Sequence, residues 1–186
     1  MAYRGGSGRL RPYPRARRGA WWCALAALAL VGCASQGGGA WRDGRFSDAK
    51  LGGSVGDLAA LEPGWRAERS PEATLAFRHL DGSRASWLRE CRAAEVNPRA
   101  LGRALWIALP GAQIEEDAAR EVGGGAGWQH VGRAQQGEHG VRIATIARVG
   151  KRCEDSFLLV VPHAELHHRA AFERWVGGFT DGEAAR

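Results

Sequence analysis

The sequence predicts an α+β fold in which an antiparallel sheet is covered by two helices. Apolar residues alternate at a period of two in several separate segments, as they do in half-buried strands. Two further segments place apolar residues three or four positions apart, which indicates one face of a helix. The segments follow in the order hairpin, helix, meander, helix. Strands that are grouped apart from helices are typical of an α+β domain.

A β-hairpin is predicted over residues 75–91. The dipeptide Asp81-Gly82 supplies the positive φ angle of a tight turn between two alternating segments. The alternation directs Phe77 and Trp87 towards the core. Before this hairpin, residues 46–61 show no clear period, and a short strand among them stays an open alternative.

Two helices are predicted. The first begins at Asn97, a good N-cap, followed by Pro98 at the first helical position. Its apolar stripe consists of Leu101, Leu105, Ala108 and Leu109. The second helix is predicted over residues 165–179. Its inner side consists of Leu166, Ala170, Phe172, Trp175, Val176 and Phe179.

A meander is predicted between the two helices. Residues 114–122 lack a clean apolar stripe, and an extended segment is the preferred interpretation. The glycine-rich residues 123–127 are predicted to form a loop. Residues 128–135 and 141–149 alternate as two strands of a hairpin. Residues 153–161 end in an apolar run, which predicts a central strand.

The beginning of the chain resembles the precursor of a bacterial lipoprotein. It carries arginines and no acidic residue: Arg4, Arg9, Arg11, Arg15, Arg17 and Arg18. Residues 20–31 then form an apolar stretch that suits a signal peptide and is shorter than the ~20 residues of a membrane-spanning helix. The sequence Leu-Val-Gly-Cys at 30–33 resembles a lipobox. The resemblance implies that Cys33 is diacylglycerated, that signal peptidase II cuts before it and that its new amino group is acylated.

This resemblance implies a domain organisation and a location. Residues 1–32 are expected to be the signal peptide, 33–45 the lipidated cysteine with a flexible tether, and 46–186 a single periplasmic α+β domain. Ala34-Ser35 resembles the sorting signal for the outer membrane, where palmitate and the other acyl chains would hold the chain as a stable anchor. The alternatives are an ordinary secretory signal with a chance cysteine or a retained membrane anchor. Export through a twin-arginine signal is a further alternative.

The charge balance excludes a nucleic-acid partner. The full chain carries 26 basic and 20 acidic residues, and six of the basic residues precede Cys33. The mature chain is therefore neutral and has no basic electrostatic footprint.

The cysteines predict a disulfide. Cys23 leaves with the signal peptide and Cys33 takes the lipid, which leaves the even pair Cys91 and Cys153 in an oxidising compartment. The alternative is two buried free thiols.

The order of elements resembles the PsbP-like α/β/α sandwich over about residues 64–179. The residues that suggest it are Pro63-Gly64-Trp65, the run at 75–79, Cys91, and the run at 153–157. This family includes the extrinsic photosystem proteins and small bacterial lipoproteins. The ion-binding residues of the photosynthetic members cannot be placed on this chain by motif, so none is carried over and no cofactor is expected.

Three patterns could carry chemistry, and each has a plainer interpretation. Residues 52–56 match the GxSxG nucleophile motif around Ser54, but they lack the strand before it and the helix after it that this motif needs. His163 and His167 are four residues apart and could share a helix face as metal ligands, although the HExxH order is absent. The acidic run at 115–117 lacks the loop of a calcium site and is interpreted as a solvated face.

The remaining histidines, His79, His130 and His139, are interpreted as strand or loop residues rather than ligands. No catalytic, cofactor-binding or metal-binding residue is therefore predicted.

The sequence favours a membrane-anchored, non-enzymatic accessory or binding module of the cell envelope. Its partner would be an envelope protein or a small apolar ligand. One alternative is a small hydrolase that uses Ser54 or a metal at His163 and His167. The other is a purely structural envelope protein.

Overall fold

A computed structural model describes residues 39–91 and 96–182 of the chain. Strands and helices are numbered in chain order. The strands are β1 (Gly39–Arg42), β2 (Arg45–Asp48), β3 (Ser54–Gly56), β4 (Trp65–Glu68), β5 (Leu75–His79), β6 (Arg84–Cys91), β7 (Gln113–Val122), β8 (Gly125–Gln136), β9 (His139–Val149) and β10 (Cys153–Val161). The helices are α1 (Leu58–Leu61), α2 (Pro98–Ile107) and α3 (Arg169–Gly177).

The predicted fold class is confirmed. The main sheet has seven antiparallel strands in the order β4-β5-β6-β10-β9-β8-β7, and β1, β2 and β3 form a separate three-stranded sheet. Helix α3 lies against α1, β3, β7 and β10, whereas α2 lies against β8 and β9. Strands β4 and β7 are the two edges of the main sheet. None of the described helices has the length and apolar character that crossing a membrane requires.

The larger hydrophobic core lies on the α3 side of the sheet. It is rich in aromatic residues because one face of β5, β6 and β10 directs large side chains towards α3. Phe77 and Trp87 are fully buried there, as the alternation predicted. The ring of Phe157 stacks on Trp87 and meets Trp175 of α3 edge to face, with centroids 5.7 Å apart in the second pair. Edge-to-face packing of this kind adds to the free energy gained by burial.

Helix α2 packs against the opposite face of the sheet. Asn97 caps it as predicted, and its side chain accepts a hydrogen bond from the backbone N–H of Arg99. Trp106 of this helix is buried, since its side chain is 3% exposed and donates a hydrogen bond to Thr145 in β9 at 2.9 Å. The helix is rotated relative to the predicted stripe because Gly102 comes close to the His130 ring.

His130 is fully buried beneath this helix, and neither of its ring nitrogens has a hydrogen-bond partner. Its Nε2 atom lies 3.8 Å from a carboxylate oxygen of Asp117 in β7. Burial lowers the pKa of His130, Asp117 raises it, and Arg103 and Arg99 on α2 lower it further. The balance favours a neutral ring at the pH of the cell.

The strand partners of the hairpin and meander confirm the predicted antiparallel order. Cys91 and Cys153 are directly opposite in β6 and β10 and form a disulfide bond, the pairing that the sequence favoured. Residues 114–122, interpreted as extended, lie within β7. The predicted loop at 123–127 is shorter, because Gly125 already begins β8.

Two predicted boundaries need correction. The flexible tether predicted over 33–45 is wrong from Gly39 onwards, because Gly39–Arg42 pairs with β2 and Trp41 packs on Phe46 with ring centroids 5.6 Å apart. The second helix begins at Arg169 rather than at residue 165, because His168 has a left-handed φ of 67°.

Candidate functional site

A part of the main sheet that no described helix covers forms a groove beside α2. Helix α2 lies mainly over β8 and β9, where Thr145 lies under Trp106. The row of cross-strand neighbours continues beyond the helix through Leu158 in β10, Ser86 in β6 and Ala76 in β5. These side chains form part of the groove floor. This face of β5, β6 and β10 therefore lines a groove beside the smaller core under α2, and Leu158 and Val160 contact that core as well.

The groove has a volume of about 470 Å³. Its lining is aliphatic along the floor, with Leu88, Val160 and Leu158, and Leu105 of α2 forms a wall. Charged and polar groups surround this lining: Glu68, Ser70, Glu72, Arg84 and Gln136. Small-molecule sites are concave, mostly apolar, of roughly 300–1,000 Å³ and carry a few polar groups at set positions. The groove has the size and the lining of such a site.

Two exposed apolar side chains belong to residues that are close in sequence to residues of the groove lining. Ile107 is 86% exposed and lies two residues after Leu105, and Leu80 is 75% exposed and lies two residues before Gly82. Solitary exposed apolar residues are common on soluble proteins. Because Ile107 and Leu80 are apolar and do not line the groove, substitutions there are suitable controls for substitutions in the groove.

A ring of four charged side chains lies on the other side of the sheet. Asp155 of β10 is directly opposite Arg89 of β6 and Arg148 of β9, and it forms ion pairs of 2.9 Å and 3.1 Å with them. Asp181, beyond α3, closes the ring with ion pairs of 2.7 Å to Arg89 and 2.6 Å to Arg148. Both guanidinium groups lie over the ring of Phe179. This ring has no net charge, and it links the segment after α3 to the central strands β6, β9 and β10.

Ser54 is not arranged as a nucleophile. It lies in β3, and its hydroxyl is 2.7 Å from the hydroxyl of Thr180 and accepts hydrogen bonds from Arg45. A serine nucleophile needs a neighbouring base that takes its proton. A threonine hydroxyl and a guanidinium group do not serve as that base.

The histidine-rich segment before α3 is not helical, so His163 and His167 do not form the i, i+4 pair of a helix face that the alternative metal site requires. Their ring centroids are 5.7 Å apart. His168 is the residue that makes long-range contacts, through Nδ1 with Glu62 at 2.9 Å and through Nε2 with Asp81 at 2.9 Å. Burial opposes protonation of His168, but these two carboxylates outweigh it and raise its pKa.

The two carboxylates respond in the opposite direction. Burial acts to raise the pKa of Asp81 and of Glu62, yet the hydrogen bonds from His168 hold both pKa values below their ordinary range. His79, interpreted from the sequence as a plain strand residue, also contacts Asp81, with its Nδ1 atom 2.9 Å from the carboxylate. Local sequence patterns do not reveal this cluster, because His168 lies 87 residues after Asp81.

The groove was also missed, although the sequence holds a signal for it. The run at 157–161 is apolar at every position, which requires cover on both faces of the strand. The two predicted helices could supply such cover over only part of the sheet. Cys33, the signal peptide and the first tether residues lie outside the described residues, so lipidation stays a prediction.

Comparison with known proteins supports the fold. No protein-family model and no curated sequence matches the chain. Among solved structures, LpqN, involved in cell envelope biogenesis of Mycobacterium tuberculosis, is similar over 63% of this chain and 78% of its own, with 15% identity and a TM-score of 0.54. The cyanobacterial PsbP protein (CyanoP) of Synechocystis sp. PCC 6803 is similar over 74% of this chain and 91% of its own, with 16% identity and a TM-score of 0.55. At these identities the similarity concerns the fold, and the chain has a PsbP-like fold.

Proposed function

We propose that this chain is a lipid-anchored, non-enzymatic binding module of the cell envelope, and that its groove holds a small apolar ligand with an aliphatic segment. The observation that carries the proposal is the groove itself, an aliphatic floor of ligand-binding size on a sheet face that α2 leaves open. The likeness in fold to an envelope protein of a mycobacterium supports the location.

The lining favours an aliphatic ligand over an aromatic or charged one. Its apolar residues are Ala, Leu, Val and Pro, and no aromatic ring is among the lining residues that would stack on a planar ligand. Glu68 and Glu72 lie at the rim with Arg84, so polar groups of the ligand would meet both signs of charge there. An elongated molecule with one apolar segment and a polar end fits this distribution.

Binding of a fluorescent fatty acid to the full chain in detergent-free nanodiscs tests the groove. Leu158→Glu places a charge on the floor, and we expect it to weaken binding by about tenfold or more, because an unpaired charge in an apolar site costs at least ~1–3 kcal/mol. Ile107→Glu is the matched control, since Ile107 is exposed and does not line the groove. Equal binding by the wild type and by Leu158→Glu would refute the groove as the binding site.

A protein partner is the competing outcome of the same experiment. A partner that docks on the exposed apolar residues would be lost with Ile107→Glu and Leu80→Glu, while fatty-acid binding stayed at the background level in every variant. Anchoring is tested separately by the intact mass of the mature protein, which should carry acyl chains on Cys33. An unmodified Cys33 with residues 1–32 still attached would contradict it.

A further inference from the structure

A cluster of two imidazoles and one carboxylate joins three parts of the chain. His79 ends β5, Asp81 lies in the turn to β6, and His168 precedes α3. One ligand atom of each can be chosen so that all three atoms lie within 4.8 Å of one another. The three side chains are partly buried, with 8% of the His168 side chain exposed. This spacing and this donor set match the protein ligands of a divalent zinc site.

Each of the two rings presents one nitrogen to an acceptor outside the cluster. His79 Nε2 lies 3.2 Å from the carbonyl oxygen of Pro63, and His168 Nδ1 lies 2.9 Å from Glu62. Both partners are pure acceptors when Glu62 is ionised, so these two nitrogens are the N–H donors. Zinc-binding histidines commonly donate their second N–H to a carbonyl or carboxylate oxygen in this way.

The other nitrogen of each ring is directed at Asp81. His79 Nδ1 is 2.9 Å from one carboxylate oxygen, and His168 Nε2 is 2.9 Å from the other. An unprotonated nitrogen this close to a carboxylate oxygen is repelled unless a cation lies between them. For His168 that cation is either a second proton on the ring or a metal ion. His79 Nδ1 also accepts a hydrogen bond from the backbone N–H of Asp81 at 3.3 Å, so its lone pair is available for a metal ion shared by all three groups.

We propose that His79, Asp81 and His168 bind a zinc ion, a role that depends neither on lipidation nor on the groove. Zn–N and Zn–O bonds are about 2.0–2.2 Å long, so tetrahedral binding places two ligand atoms about 3.3–3.4 Å apart. The two contacts of 2.9 Å run to different oxygens of Asp81, so one of them has to open by about half an ångström, and the other ligand atoms, which lie within 4.8 Å of one another, have to close to this spacing. His163 Nε2 is 3.5 Å from Asp81 and is placed to become the fourth ligand on the solvent side.

The backbone holds these rings in position at two unusual residues. His168 has a φ of 67°, a conformation that residues other than glycine rarely adopt and that is often retained at functional sites. Gly64 has a φ of 101°, and a side chain there would lie 2.3 Å from His79 Nε2. Asp81 is fixed by a hydrogen bond from the backbone N–H of Ser83 at 2.8 Å. The three donors are therefore held by their surroundings before any ion arrives.

Calorimetric titration with zinc chloride tests the site on the full chain, purified in detergent without a histidine tag and treated with chelator. We expect one zinc ion per chain and a rise in the unfolding temperature on binding. His168→Ala and Asp81→Asn should each weaken binding by at least about 100-fold, since each removes a ligand, a larger change than the roughly 10–100-fold loss typical of outer-shell partners. His163→Ala should weaken binding less, because it removes the most exposed of the four groups.

His139→Ala is the matched control, because His139 is an exposed histidine at the start of β9, away from the cluster. It should bind zinc as the wild type does. Circular dichroism of the metal-free variants separates a lost ligand from a lost fold, and Asp81→Asn decides the test if His168→Ala does not fold. Two results would overturn the proposal: a wild type that binds no zinc at submillimolar concentration, or an Asp81→Asn variant that binds it unchanged.

Discussion

Asp155→Asn is the substitution that the buried charge ring makes most informative. Asp155 is fully buried, accepts a hydrogen bond from Trp87 at 2.9 Å and pairs with both Arg89 and Arg148. Asparagine has nearly the same shape, so the change removes the charge and leaves two buried guanidinium groups with Asp181 alone. Its amide NH₂ group would also face a guanidinium donor. Breaking a buried pair by removing one partner costs about 3–5 kcal/mol, and we expect a loss of this size.

The assay is urea unfolding at neutral pH with the disulfide intact, followed by tryptophan fluorescence and circular dichroism. The midpoint should fall while the slope stays the same, because the surface exposed on unfolding is unchanged. Arg148→Met added to Asp155→Asn should recover part of the loss, since Arg89 and Asp181 then remain as a balanced pair. A loss below about 1 kcal/mol for Asp155→Asn would refute the reasoning.

Glu116→Gln is the control for a surface pair. Glu116 accepts two hydrogen bonds of 2.7 Å from Arg169, which is a bidentate pair in an exposed position. Exposed pairs contribute up to about 1 kcal/mol because water screens them and both side chains lose freedom. A similar loss in both variants would mean that burial is not the cause.

Three further predictions concern α2, His130 and the disulfide. Gly102→Ala should lower the free energy of unfolding by about 1–3 kcal/mol, because its new methyl group would lie 2.7 Å from the His130 ring. Gly177→Ala in α3 meets no atom within 4 Å, and this variant should leave the free energy of unfolding unchanged or raise it. Because burial lowers the pKa of His130 below its unfolded value of about 6.5, the wild type should lose up to about 1.4 kcal/mol between pH 7.5 and 5.5, and His130→Leu should remove that part of the slope. Replacing Cys91 and Cys153 by serine should cost about 4 kcal/mol, since the bond closes a separation of 62 residues.

Each of these has a contradicting result in urea or thermal unfolding. Equal stability of the two glycine variants would mean that α2 can move away from the sheet without cost. The sign of the pH effect follows from proton binding: the unfolded chain takes up a proton at His130 as the pH falls and the native chain resists it, so stability is lost on acidification. A wild type whose His130-dependent stability rises on acidification would contradict the buried neutral ring. A serine variant as stable as the oxidised wild type would contradict the role of the disulfide.

Local signals in the sequence predicted the parts of the fold that depend on neighbours in the chain. Asp81-Gly82 between alternating segments predicted the hairpin, and Asn97-Pro98 predicted the start of α2. The tether prediction failed at Gly39–Arg42 although Asp43-Gly44, a turn dipeptide, separates Trp41 from its ring partner Phe46. The turn dipeptide indicates a hairpin, but the three glycines at 37–39 favoured a flexible tether.

Features that depend on tertiary contacts could not be predicted from local patterns. The rotation of α2 follows from the close approach of Gly102 to His130, which lie on different elements. The contact between Asp81 and His168 joins residues 87 positions apart, and the segment that contains His168 was predicted as regular helix. The groove exists because α2 packs on β8 and β9 and leaves the same face of β5, β6 and β10 beside it, and no local pattern shows which strands a helix packs on.

Among the described strands β7 forms an edge of the main sheet, and this edge has a consequence when copies of the protein meet. An edge strand ten residues long invites neighbouring copies to extend one sheet into the next. Glu115, Glu116, Asp117, Arg120 and Glu121 stand along this strand, and its pairing with β8 shifts register near its start. Charge and irregularity together discourage edge-to-edge association. The acidic run at 115–117 thereby protects the fold against aggregation while it contributes almost nothing to the core.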